Sequence, residues 1–147
     1  MKAFFVLTFA ALCQSAYSLR EGTYMIESAK FGKSLVLTET LTHRGAPLSF
    51  DPRNGQPGQI WSFTPRDNGY WEVENHLGGN INCGTEEGSM CFAGEEPQLF
   101  MPEYKGENKY ELVAKGSGYL LRVTEHGSLE LAGYDDSLSE QFTLVEA

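Results

Sequence analysis

Short runs of alternating hydrophobic and polar residues, separated by Gly, Pro, Asn and Asp, make up the chain from about residue 22 onward. Alternation with a period of two predicts half-buried β-strands, and the Gly- and Pro-rich clusters predict the turns between them. The first predicted strands are 23–26, 34–37, 47–50 and 60–63. Because no window keeps a helical period for three turns, the pattern predicts an all-β protein.

This four-strand pattern occurs three times. Each copy opens on an aromatic-x-aliphatic sequence and closes on a polar-x-aromatic triplet, with closing rings at Trp61, Phe100 and Phe142. A period of about 40 residues suits a propeller or a threefold barrel, and three units are too few for most propellers. Three four-stranded units do close a β-trefoil, which removes exposed sheet edges. We therefore predict repeats at about 21–66, 67–105 and 106–147.

The first 18 residues have the composition of a secretory signal peptide. An apolar run follows Lys2, and small residues stand at Ala16 and Ser18, where a signal peptidase would cleave. The run is too short to span a bilayer. We expect a secreted protein whose domain covers residues 19–147, with no membrane span.

Cys83 and Cys91 remain once Cys13 leaves with the leader. An even pair of cysteines in an oxidising compartment predicts one disulfide. The residues between them are rich in turn formers, so the bond is expected to staple a hairpin.

The first repeat carries a specific resemblance. Gly22-Thr23-Tyr24, Leu35-Val36-Leu37, Gly45-Ala46-Pro47 and the run from Asn54 to Trp61 are similar to one repeat of the ricin-B-type trefoils. In particular they resemble the small fungal members, a group that contains both lectins and peptidase inhibitors. The resemblance implies that Gln59 and Trp61 are structural, so they support the fold and carry no activity.

Composition and residue context argue against several functions. The chain has 11 Lys+Arg against 20 Asp+Glu, a formal charge of −9, which disfavours a nucleic-acid partner. The three histidines lie in three different repeats, with no nucleophile context near them. Adjacent acidic residues in Gly-rich loops are best explained as solvated charge. We expect no catalytic activity, no metal and no cofactor.

One functional hypothesis is sugar binding. In ricin-B-type lectins an active repeat carries an Asp in a Leu-Asp-Val-like strand, and a nearby aromatic stacks on the sugar. The matching positions here are Val36, Asn82 and Arg122. Val36 cannot accept a hydrogen bond and Arg122 can only donate, so Asn82 remains, with Trp71 as the candidate stacking ring.

The main hypothesis from the sequence is inhibition of trypsin-like serine proteases. The connection 38–47 is the longest of its kind in the three repeats, and Arg44 would suit a specificity pocket floored by a carboxylate. His43 precedes Arg44, while Gly45 and Pro47 would keep the far side of the loop small and stiff. A preformed loop of this kind gains affinity because little ordering remains to be done on binding.

Arg66, between the first and second repeats, is a rival inhibitory residue, although Asp67 beside it disfavours a trypsin-like partner. The expected partners are therefore an extracellular serine protease or a glycan. A secreted effector that binds a host protein through another surface is a third alternative. We expect a monomer.

Overall fold

The computed structural model describes residues 19–40 and 45–147, and in these ranges the protein is built from strands. There are twelve, numbered β1 to β12 in chain order: Gly22–Ser28, Gly32–Thr38, Ser49–Pro52, Trp61–Pro65, Trp71–Asn75, Asn80–Asn82, Phe92–Gly94, Leu99–Gly106, Lys109–Ala114, Leu120–Val123, Leu129–Ala132 and Phe142–Glu146. Helical structure in the described ranges is limited to three-residue 3₁₀ turns. The all-β prediction is confirmed.

Six of the strands close into a barrel. Antiparallel pairing runs from β1 to β4, then to β5, β8, β9 and β12, and returns from β12 to β1. A closed barrel leaves none of these strands with an unpaired edge. Each repeat contributes its first and fourth strands to the barrel.

In each repeat, the aromatic residue that opens the repeat is paired with the aromatic residue that closes it, where the first and fourth strands lie side by side. Tyr24 is paired with Trp61, Trp71 with Phe100, and Tyr110 with Phe142. Trp61 and Phe100 have no solvent exposure, and Phe142 is 1% exposed. The three closing rings therefore occupy equivalent buried positions, as the repeat pattern predicts.

The second and third strands of each repeat form a hairpin outside the barrel. We call β2–β3, β6–β7 and β10–β11 hairpin 1, hairpin 2 and hairpin 3. The hairpins meet in a ring of three backbone hydrogen bonds. The Leu48 N–H donates to the Cys91 carbonyl (2.8 Å), Cys91 donates to Leu129 (2.8 Å), and Leu129 donates to Leu48 (3.0 Å). This cyclic arrangement fixes the hairpins relative to one another about a pseudo-threefold axis.

Candidate binding site on hairpin 2

The three hairpins offer the same surface position with different side chains. The positions that resemble the lectin Asp pair across their hairpins as Val36 with Asp51, Asn82 with Phe92, and Arg122 with Glu130. Because these pairs are equivalent in the fold, their chemistry can be compared directly.

Hairpin 1 lacks a polar group at the first of these positions. Val36 is fully buried. Asp51, opposite it, is partly exposed and accepts a hydrogen bond from the Ser49 hydroxyl at 2.9 Å. No aromatic ring stands at either position, so a sugar has nothing to stack on here.

Hairpin 3 fills the position with internal ion pairs. Arg122 Nη2 lies 3.3 Å from Glu130 Oε2, and its Nη1 lies 3.8 Å from Asp135 Oδ2. Two carboxylates therefore hold the guanidinium, and a ligand would have to displace one of them.

Hairpin 2 combines an amide with an exposed ring. Asn82 is partly exposed, and the Phe92 side chain opposite it is 37% exposed, one of three large hydrophobic residues so exposed in the described ranges. Both line a surface cavity of about 530 Å³ whose other walls include Ser89, Met90 and Gly94. We call this cavity the hairpin-2 site.

The backbone around Asn82 holds its amide in a fixed orientation. Its Nδ2 donates to the carbonyl oxygen of Glu96 at 3.1 Å, and its Oδ1 accepts from the Gly84 N–H at 3.2 Å. Gln98 braces the same strand end, because its Oε1 accepts from the Cys83 N–H at 2.7 Å and its Nε2 donates to the Gly84 carbonyl at 2.7 Å.

The disulfide stabilises the same hairpin. Cys83 and Cys91 are bonded and buried. Cys83 directly follows Asn82 in sequence, and Cys91 directly precedes Phe92. The bond therefore links the two strands immediately beside the Asn82–Phe92 pair. The predicted disulfide is confirmed.

This arrangement can recognise a hydroxylated ring. A carboxamide oxygen can accept two hydrogen bonds and its nitrogen can donate two. Asn82 uses one of each on the backbone, so one acceptor and one donor position remain on an amide that is already oriented. The Phe92 ring offers an apolar face, and ordering costs on binding are low when such groups are preorganised.

Solved structures match this architecture over nearly the whole described chain. A designed threefold-symmetric protein, ThreeFoil, has a TM-score of 0.75 and 22% identity, covering 86% of this chain and 100% of its own. The Macrolepiota procera ricin B-like lectin, solved with lactose, has a TM-score of 0.76 and 17% identity, covering 88% and 99%. The fold is a β-trefoil. The Rhizoctonia solani agglutinin also matches, with a TM-score of 0.77 and 12% identity, covering 88% of this chain and 98% of its own.

No family model and no curated protein sequence matches this chain. The likeness is therefore carried by the trefoil backbone, at identities too low to transfer a ligand. Any specific binding property has to be argued from the side chains of this chain.

The sugar-site residues predicted from sequence are placed apart by the trefoil. Trp71 lies on barrel strand β5, is half-buried and packs against the core. It does not line the hairpin-2 site, whereas Asn82 does. The ring that accompanies Asn82 is Phe92, which the sequence analysis missed. The positions of the two cysteines contain the signal that would predict Phe92. A disulfide across a hairpin joins residues 83 and 91, so their outer neighbours, residues 82 and 92, lie opposite each other.

The structure describes only some of the residues predicted for protease inhibition. His43 and Arg44 lie outside the described residues. Gly45 and Pro47 are exposed and line a second cavity beside hairpin 1. The rival Arg66 forms an ion pair with Glu72, so its guanidinium is already engaged.

Among residues 19–40 and 45–147, no group of three or more His, Cys, Asp or Glu side chains is placed to hold a metal ion. No helix there has the length and apolar character needed to cross a membrane.

Proposed function

We propose that this protein is a secreted, non-catalytic glycan-binding protein that uses the hairpin-2 site. The observation that carries the proposal is the exposed Phe92 ring directly opposite the oriented amide of Asn82. Sugars present both hydroxyl groups and an apolar ring face, and this pair offers a partner for each.

The neighbours with the same fold support this hypothesis over protease inhibition. One of them is a ricin B-like lectin whose structure was solved with lactose. Export is supported by the leader-like sequence of residues 1–18 and by the disulfide, because disulfides persist in oxidising compartments.

The test is glycan binding by the domain covering residues 19–147, compared among three proteins. Phe92→Ala should weaken binding about tenfold or more, because it removes the stacking surface at the centre of the site. Tyr134→Ala is the matched control, since Tyr134 is 60% exposed and lies outside the hairpin-2 site. Binding should be measured on a glycan array and then by calorimetry with the best ligand.

The outcome that contradicts the proposal is a wild-type protein that binds no glycan, or a Phe92→Ala variant that binds as well as wild type. Inhibition of trypsin through Arg44 stays a prediction from the sequence. Titrating trypsin with wild type and with Arg44→Ala in the same experiment separates the two hypotheses.

A further inference from the structure

Hairpins 2 and 3 are joined into one sheet by the segment 88–91. Three backbone hydrogen bonds connect this segment to β11: from the Gly88 N–H to the Leu131 carbonyl (2.8 Å), from the Leu131 N–H to the Ser89 carbonyl (2.9 Å) and from the Cys91 N–H to the Leu129 carbonyl (2.8 Å). The pairing is antiparallel, with Met90 opposite Glu130. Because the segment continues directly into β7, the chain from 88 to 94 pairs with β11 at one end and with β6 at the other.

Four side chains on the outer face of this sheet form one continuous row. Successive residues of an extended chain point to opposite faces. Cys91 is fully buried, so Met90 and Phe92 on either side of it point outward, and both are at least partly exposed. Asn82 lies opposite Phe92 and Glu130 lies opposite Met90, each on the same face as its partner. We call Asn82, Phe92, Met90 and Glu130 the inter-hairpin row. Its first three members line the hairpin-2 site, and Glu130 extends that site onto hairpin 3.

The two ends of the inter-hairpin row are polar and its middle is apolar. Asn82 keeps one acceptor and one donor position, as described above. The partly exposed Glu130 uses its Oε2 on Arg122 Nη2 at 3.3 Å, and an ionised carboxylate has about four acceptor positions, so others remain. Phe92 and Met90 supply an apolar surface beside each of these polar groups. Each half of the row therefore offers the same combination, a hydrogen-bonding group next to an apolar contact.

The spacing of the row exceeds the size of a single sugar ring. Residues two apart on a strand have Cα atoms about 7 Å apart, and neighbouring strands lie about 5 Å to either side. Asn82 and Glu130 lie on opposite sides of the central strand and at opposite ends of this step, so their Cα atoms are about 12 Å apart. One pyranose ring cannot contact both ends of the row, whereas two linked rings can.

We propose that the inter-hairpin row binds two consecutive sugars of an oligosaccharide. One ring packs on Phe92 and hydrogen-bonds with Asn82, and the next ring packs on Met90 and donates a hydroxyl hydrogen bond to Glu130. This inference rests on the proposed function, and it adds that hairpin 3 contributes a specificity-determining residue, Glu130, to the site on hairpin 2.

The experiment compares ligand lengths by calorimetry. Wild-type protein is titrated with galactose, lactose and a panel of other monosaccharides, each paired with di- and trisaccharides that end in it. For whichever monosaccharide binds, the disaccharide should bind about tenfold more tightly. The trisaccharide should add less than threefold, because only two rings reach the row. Glu130→Ala should reduce the disaccharide gain to less than threefold and leave monosaccharide affinity unchanged, since Glu130 does not line the hairpin-2 site.

Two further variants sharpen this test. Met90→Ala removes the apolar contact of the second ring, so it should also reduce the ratio of disaccharide to monosaccharide affinity to less than threefold. Glu107→Ala is the matched control, because the Glu107 side chain is an 85% exposed carboxylate outside the row, and it should keep the full gain. Thermal unfolding of all three variants confirms that they are folded.

Each result has a defined meaning. Equal affinity for mono- and disaccharides overturns the inter-hairpin row as a two-sugar site while leaving the proposed function intact. A disaccharide gain that Glu130→Ala or Met90→Ala retains also overturns it. A wild-type protein that binds no sugar of any length overturns the proposed function and this inference together.

Discussion

Hairpins 2 and 3 occupy equivalent places in the trefoil but use them in different ways. At one position hairpin 2 has Asn82 opposite Phe92, while hairpin 3 has Arg122 opposite Glu130. The amide is oriented by the backbone and keeps hydrogen-bonding capacity, whereas the guanidinium is held by Glu130 and Asp135. The difference shows that a repeated fold supplies positions, and that the side chains decide whether a position remains open to a ligand.

The supports beneath the two hairpins also differ. Gln98 uses both ends of its amide, accepting from Cys83 and donating to Gly84. Glu140 takes the same place in the third closing triplet and is fully buried. Its Oε1 accepts from the Asp135 N–H at 2.9 Å, while its Oε2 has no hydrogen-bond partner in the described ranges. A carboxylate cannot donate a hydrogen bond as the amide does. The buried side chain that supports hairpin 3 therefore has one oxygen without a hydrogen bond in the described ranges.

The largest expected effect comes from removing the disulfide that distinguishes hairpin 2. The double change Cys83→Ala and Cys91→Ala should lower the free energy of unfolding by about 2–3 kcal/mol, because the unfolded chain loses its cross-link. Glycan affinity should fall as well, since the bond links the strands that carry Asn82 and Phe92. Denaturant unfolding measures the first effect and calorimetry the second.

Wild-type protein with reductant is the matched comparison for this variant. It should unfold at nearly the same denaturant concentration as the double variant, because both lack the same cross-link. Equal stability of oxidised wild type and the double variant would show that hairpin 2 does not depend on its disulfide.

The fold could be predicted from sequence because its signals are local and repeated. Alternation of hydrophobic and polar residues predicts the strands, and the spacing of Trp61, Phe100 and Phe142 predicts the threefold arrangement. These residues face a common core, where burial of large rings dominates the energetics. The observed strand Ser49–Pro52 begins two residues later than the predicted 47–50, because Leu48 is taken into the hydrogen-bond ring of the hairpins.

The site was harder to predict because it depends on pairing between strands. A strand motif predicts Asn82, but its neighbour Phe92 lies ten positions later and follows no motif. The sequence favours Trp71 as the stacking ring instead. In the structure Trp71 packs against the core.

A smaller effect is expected from replacing Glu140, which supports hairpin 3, with the residue type that Gln98 provides under hairpin 2. Glu140→Gln provides the amide donor that Gln59 and Gln98 already use. It should raise the free energy of unfolding near neutral pH by about 1–2 kcal/mol, since a buried polar atom without a partner costs about that much. Chemical denaturation of the two proteins side by side gives the difference.

The direction in which stability changes with pH follows from the pKa of Glu140. Burial raises the pKa of Glu140 above its ordinary value of 4.5. The folded state therefore binds this proton more tightly than the unfolded state, so the contribution is fully present below pH 4.5 and is lost as the pH rises through the folded pKa. Wild type should lose more stability than Glu140→Gln between about pH 4 and pH 7.

A second buried carboxyl, that of Glu111, also makes stability depend on pH. The stability of Glu140→Gln should therefore still change with pH. Burial also raises the pKa of Glu111, although Lys105 Nζ lies 3.9 Å from its Oε1 and acts in the opposite direction. Its contribution has the same sign as that of Glu140 and remains in Glu140→Gln. Parallel pH profiles for wild type and the variant would contradict the role given to Glu140.

The smallest expected effect is that of Arg122→Ala on hairpin 3. Partly exposed ion pairs contribute roughly 0–1 kcal/mol, so the free energy of unfolding should fall by less than about 1 kcal/mol. Glycan affinity should not change, because Arg122 is bound by its own chain and lies outside the hairpin-2 site. Asn82→Ala is the equivalent truncation on hairpin 2, and it should weaken glycan binding about tenfold or more while the protein remains folded. If Arg122→Ala weakens glycan binding as much as Asn82→Ala does, hairpin 3 is a second sugar site and the contrast between the two hairpins fails.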